Sequence, residues 1–225
     1  MKLAVLFSGG KDSTMALYRA LQDGHEVKYL VSAYPSNPES FLFHTSNIQL
    51  TELQAKAIGI PLVKVEVRSF EDVGEAQELE AALKELDIDG IAVGGVSSNY
   101  QGRVFGEIAN SLGLEVYAPY WKRPHTELIE EAIGLGFEII ITSVSAEGLT
   151  KDWLGRKLDK GTLQELKELS EKYGFDIGGE GGGWCSLVID GPIFRQRIKL
   201  LKTEKTWDGM AGKLIVTQAK LVEKN

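Results

Sequence analysis

The sequence predicts an α/β protein: a parallel β-sheet with helices on both faces, followed by a smaller α+β region. Three observations carry this. Short apolar runs alternate with segments of helical periodicity as far as about residue 145. The links between them are short, which reads as successive βαβ units. The strand runs are continuously apolar rather than alternating, as expected when both faces of a sheet are covered.

In chain order, Leu3–Phe7 reads as a strand that runs straight into a glycine turn. Residues 12–22 form a helix, with Met15, Ala16, Leu17, Ala20 and Leu21 at helical spacing. Val27–Ala33 is a strand, Ile48–Ile58 a helix that Asn47 could cap, and Leu62–Val67 a strand. A Glu- and Ala-rich helix over 73–86 leads to a strand at Gly90–Val93. Arg103–Leu112 is helical, Glu115–Tyr117 extended, Thr126–Leu135 helical, and Glu138–Val144 an isoleucine-rich strand. The pattern then changes. A helix at Leu163–Tyr173 precedes the glycine run 178–183 and extended segments at 186–189, 193–201 and 213–221. The expected division is a nucleotide-binding domain over 1–147 and a substrate-binding α+β region over 148–225.

The 225 residues are 43% hydrophobic with a net charge of −7, which disfavours bulk binding to RNA or DNA. Cys185 is the one cysteine, so an intrachain disulfide, a thiolate zinc site and a CxxC redox cycle are excluded. It is expected to be a small buried hydrophobe. No apolar run reaches the ~20 residues that span a bilayer, and the apolar N-terminus is too short for a signal peptide, so a cytoplasmic protein is expected. His25 and His125 are expected to be solvated. The basic residues Arg195, Arg197, Lys199, Lys202 and Lys205 read as a solvated edge strand.

The sharpest local signal is Ser8-Gly9-Gly10-Lys11-Asp12-Ser13, at the exit of the first strand and the start of a helix. Glycines there let main-chain N–H groups approach an anion. The helix N-terminus adds partial positive charge and unpaired donors. Lys11 supplies a cation, and Ser8 and Ser13 supply hydroxyls. Asp12 would repel phosphate unless it held a metal or capped backbone donors, so it is the expected Mg²⁺-side residue. Neither GxxxxGK[ST] nor GxGxxG is present here.

This hexapeptide resembles the SGGxDS signature of the N-type ATP pyrophosphatases. Further segments resemble the diphthine–ammonia ligase branch of that superfamily: His44–Leu50, Gly94–Val104, Pro119–Arg123, Gly148–Arg156 and Asp190–Phe194. The resemblance implies a Rossmann-like HUP sheet, ATP and Mg²⁺, and adenylation of a carboxylate with loss of pyrophosphate. It also implies ammonium and the modified histidine of elongation factor 2 as co-substrates, with diphthamide as product. On these positions Ser8, Gly9, Gly10, Lys11, Asp12, Ser13, His44, Gly94 and Gly95 are expected to hold the nucleotide. Ser98, Arg103, Arg156, Glu180, Gly181 and Gly182 are expected to meet substrate, with Lys11, Asp12 and Glu180 as the catalytic set. Trp153 is expected in the core. A homodimer would suit a small two-part enzyme.

One stretch departs from the family. Where its pattern is EGGE, an aromatic residue and a second glutamate, this chain has Glu180-Gly181-Gly182-Gly183-Trp184-Cys185. The departure keeps two alternatives open: an amide ligase for a different small substrate, and a non-catalytic ATP-binding sensor. An RNA thiolase or lysine ligase of the same loop class would predict a basic face and paired cysteines, which the composition does not offer.

Overall fold

The computed structural model describes residues 1–37, 40, 42–43, 46–95 and 99–224. His44 and Ser98 lie outside the described residues. The chain divides into two compact units: Met1–Ser8 with Asp12–Lys122, and Gly9–Lys11 with the chain from Arg123 onward.

The first unit carries five parallel strands: β1 (Lys2–Leu6), β2 (Glu26–Pro35), β3 (Leu62–Val67), β4 (Gly90–Ala92) and β5 (Glu115–Tyr117). Their order is β3-β2-β1-β4-β5, and every pairing is parallel. The connecting helices are α1 (Lys11–Gln22), α2 (Thr51–Ile58), α3 (Asp72–Lys84) and α4 (Asn99–Leu112). Successive side chains of a strand point to opposite faces. Ala4 joins Val31, Val65, Val67 and Ile91 in a core closed by Leu79 and Leu83 of α3 and Ile108 and Ala109 of α4. Leu3 and Val5 point the other way and are equally buried, so that face is covered too. The strand order reverses between β1 and β4. In an open α/β sheet the crevice beyond the carboxyl ends of two such strands is where ligands bind. Ser8-Gly9-Gly10 follows β1, and Gly94-Gly95 follows β4 closely.

The second unit holds α5 (His125–Gly134), β6 (Glu138–Val144), α6 (Lys160–Tyr173), β7 (Trp184–Asp190), β8 (Arg197–Trp207) and β9 (Gly212–Val222). Its strands form an antiparallel sheet in the order β7-β6-β9-β8. Asp159 caps α6, its Oδ1 accepting the Thr162 N–H at 2.9 Å, and this bond lowers the carboxyl pKa.

Two expectations about elements need adjustment. The isoleucine-rich run Glu138–Val144 was grouped with the parallel sheet, but it is β6, paired antiparallel with β7 and β9. An all-apolar strand needs two covered faces, and either sheet type can supply them. The units accordingly divide at Lys122/Arg123 rather than at 147/148. Asn47 does precede a helical turn, but its backbone is left-handed (φ 61°) and its side chain makes no capping bond. β8 lies at the sheet edge with Lys199, Lys202 and Lys205 exposed, as the solvated-edge reading expects. Among the described residues no helix is long and apolar enough to cross a membrane.

Candidate functional site

In the first unit, Ser13 ties the loop to the strand end: its hydroxyl accepts the Ser8 N–H at 3.3 Å and lies 3.2 Å from Ser8 Oγ. Gly94 backs this region at close range. A Cβ there would lie 2.5 Å from both the Asp12 carbonyl carbon and the Ser13 nitrogen, so any side chain would push the start of α1 away. Gly95 is different: among the described residues a Cβ there would meet only Gln101 Oε1, at an ordinary 4.0 Å. Asp12 is partly buried in the first turn of α1. Among the described residues no three His, Cys, Asp or Glu side chains gather to hold a metal. A single carboxylate still fits Mg²⁺, which usually keeps several waters and shares one or two carboxylates with substrate phosphates.

Gly9–Lys11 belongs with the second unit and is held there by β7. The Gly9 carbonyl accepts the Val188 N–H at 3.0 Å, and the Lys11 N–H donates to Ser186 Oγ at 3.1 Å. The Lys11 side chain is almost fully buried. Its ammonium donates to the Gly178 carbonyl at 2.5 Å and sits 4.7 Å from the centre of the Trp184 ring, a cation–π distance. Lys11 is expected on phosphate oxygens. In this structure it is seated on the glycine run.

That run is braced by side chains. Asp176 Oδ1 accepts the N–H groups of Gly178 (2.8 Å) and Glu180 (3.2 Å). Trp184 Nε1 donates to the Ile177 carbonyl, and Ser145 Oγ to the Gly182 carbonyl at 2.6 Å. His125 Nδ1 lies 2.7 and 2.9 Å from the two Asp176 oxygens, and its Nε2 lies 3.4 Å from Glu180 Oε1. The His125 side chain is only 9% exposed, so the expectation that it is solvated is corrected: two carboxylates hold the ring inside. Glu180 thus has a fixed neighbour and is 27% exposed.

The other expected residues separate into distinct settings. Arg156 stacks over Trp153 at 4.2 Å and binds Glu165 with both terminal nitrogens (2.9 and 2.6 Å), which raises its pKa. An incoming anion would have to compete with Glu165. Trp153 is in the core, as expected. Arg103 is exposed on α4, its guanidinium 5.8 Å from the Tyr100 ring. Cys185, the second residue of β7, is only partly buried, less so than expected. Sequence reasoning missed His125, Asp176 and Ser186. Nothing local marks a histidine and an aspartate 51 positions apart as partners.

Two family models match the chain in tandem. The diphthamide synthase N-terminal domain covers residues 1–116, and the diphthamide synthase C-terminal domain covers 124–222. The chain belongs to the diphthamide synthase family. Curated relatives named diphthine–ammonia ligase agree. That of Danio rerio is 32% identical over 91% of this chain and 88% of its own length. That of Rattus norvegicus is 32% identical over 88% and 82%, and that of Homo sapiens 30% identical over 88% and 82%. Within this family of ligases the departure at 183 and 185 gains a structural context. Gly183 has ordinary right-handed helical angles (φ −56°, ψ −36°), and a Cβ there would only touch Ala146 Cβ at 3.4 Å. Gly181 (φ 76°) and Gly182 (φ 86°) do need glycine. The backbone therefore accommodates a side chain at 183, and the glycine there is not a requirement of the fold.

Proposed function

We propose that this chain is an ATP-dependent amide ligase that converts diphthine on elongation factor 2, with ammonium, to diphthamide. The observation that carries the reading is the Ser8–Ser13 loop at the reversal point of a parallel sheet, in a chain of this family. A strand end that runs into a helix N-terminus, with Gly94 close against Asp12 and Ser13, is the kind of place where phosphate oxygens are held.

A carboxylate resists amidation because oxide is a poor leaving group. Its oxygen attacks the α-phosphorus of ATP, a C–O–P link forms, and the α–β P–O bond breaks to release pyrophosphate. Ammonia then adds to the carbonyl carbon, loses a proton, and AMP departs with the C–O bonding pair. Ser8, Gly9, Gly10 and Ser13 bind the phosphates by main-chain and hydroxyl donors. Lys11 leaves the Gly178 carbonyl to neutralise charge building on pyrophosphate. Mg²⁺, when bound, would be held by Asp12 together with phosphate oxygens and would offset their charge. Glu180 holds ammonium and takes the proton it must shed. Gly95, His44, Ser98, Arg103, Arg156, Gly181 and Gly182 are assigned to nucleotide or substrate by the family resemblance. A single cysteine and no disulfide suit a reducing cytoplasm.

A second reading is favoured by Gly183 and Cys185. Without carboxylates at those positions the same ATP loop would serve a different small acceptor, or a sensor that binds ATP without turnover. The test is pyrophosphate and AMP release from Mg-ATP with diphthine-bearing elongation factor 2, with and without ammonium. Release that needs both co-substrates, with a protein mass change of OH to NH₂, is expected. ATP binding without release would favour the second reading.

A further inference from the structure

We infer that His125 is a positioning residue that sets both Glu180 and the seat of Lys11; the inference deepens the proposed ligase reading and rests on it for the roles of those two residues. His125 opens α5 directly after Pro124, where a histidine ordinarily faces water. Here its ring is enclosed, with one nitrogen on Asp176 and the other facing Glu180. The ring also packs closely against the glycine run: a Cβ on Gly178 would come within 2.4 Å of His125 Nδ1.

These contacts form a continuous chain of constraint. Asp176 faces His125 and, through Oδ1, takes the N–H groups of both Gly178 and Glu180. Fixing the Asp176 carboxylate therefore fixes the turn 176–180. The imidazole stops the Gly178 backbone from shifting towards α5, and the Gly178 carbonyl is the acceptor that holds the Lys11 ammonium over Trp184. The ring's other nitrogen restrains the Glu180 carboxylate. Removing the imidazole would open a void beside Gly178, release one side of Asp176 and free Glu180 to rotate. Both charged groups would then lose their fixed starting positions. A misplacement of about 1 Å in a positioned group costs up to ~10²-fold in rate.

The test uses the full chain and a non-hydrolysable Mg-ATP analogue. In folded His125→Ala, checked by circular dichroism, the analogue should bind about 10-fold more weakly, and the KM for ammonium should rise by a similar factor. The KM for the protein acceptor should stay within about twofold. Lys11→Ala and the double variant Lys11→Ala/His125→Ala should bind the analogue equally weakly, because His125 acts on the nucleotide through Lys11. Additive losses, or unchanged analogue affinity in folded His125→Ala, would overturn the inference. If that variant does not fold, the imidazole ¹⁵N resonances of His125 in the unsubstituted protein serve instead. They should shift on addition of the analogue and in Glu180→Gln, and no shift in either case overturns it. Analogue binding and the resonances need no acceptor, so a protein that binds nucleotide but forms no amide would overturn the ligase reading alone.

Discussion

The chain has two glycine-rich stretches, Ser8–Ser13 and Gly178–Gly183, and they are held in different ways. The first is held partly main chain to main chain, by the Val188 N–H on Gly9 O and by Gly94 against the main chain of Asp12 and Ser13, with Ser13 Oγ and Ser186 Oγ each accepting one loop N–H. The second is braced by side chains, Ser145 and His125 from distant positions and Asp176 and the Trp184 indole from its two ends. A backbone-held loop keeps its shape under most surface substitutions and fails only where a side chain intrudes. A side-chain-held loop can be retuned one residue at a time.

The largest effect should come from removing charge in the first stretch. Lys11→Ala and Asp12→Ala should each lower ATP turnover by about 10²-fold or more, measured as pyrophosphate release. Turnover like that of the unsubstituted protein in both would break the comparison at its root. Next, Gly94→Ala should cost about 1–3 kcal/mol in a denaturant titration, because its Cβ lands on the backbone of α1. Gly95→Ala, with space around it, should stay within about 0.5 kcal/mol. Equal effects would mean the close approach at Gly94 is not a constraint. In the second stretch, Gly183→Glu should be tolerated, while Gly181→Glu should cost about 1–2 kcal/mol for its left-handed backbone. Gly183→Glu with Cys185→Glu is expected to raise ammonia-dependent activity on diphthine, and no gain would show that the departure is more than lost carboxylates. Ser186→Ala, which removes one bond to the Lys11 N–H, should cost about 0.5–1.5 kcal/mol in the same titration.

The first stretch was legible because its chemistry is contiguous. A strand end, two glycines, a lysine and a helix start lie within a few residues, and each position has a local reason. The parallel sheet was legible for the same reason, since β1 is apolar after Lys2, and β2 and β3, though interrupted by Lys28, Lys64 and Glu66, are apolar-rich runs between helical segments. β6 was harder, because an apolar strand of isoleucines does not say whether its neighbours run parallel or antiparallel. The bracing of the second stretch was not legible at all. His125 looks like any polar residue at a helix start until folding brings Asp176 and Glu180 to its ring. Ser186 reads as an ordinary strand residue until the Lys11 N–H is found on it.

The placement of the Lys11 ammonium over Trp184 has an optical consequence. An indole beneath a cation emits differently from one left bare, so the chain carries its own fluorophore at the point where, on the function proposed above, Lys11 would exchange Gly178 for phosphate. With the other three tryptophans, Trp121, Trp153 and Trp207, replaced by phenylalanine, a change in emission on mixing with nucleotide would time the departure of a single lysine, without label or acceptor.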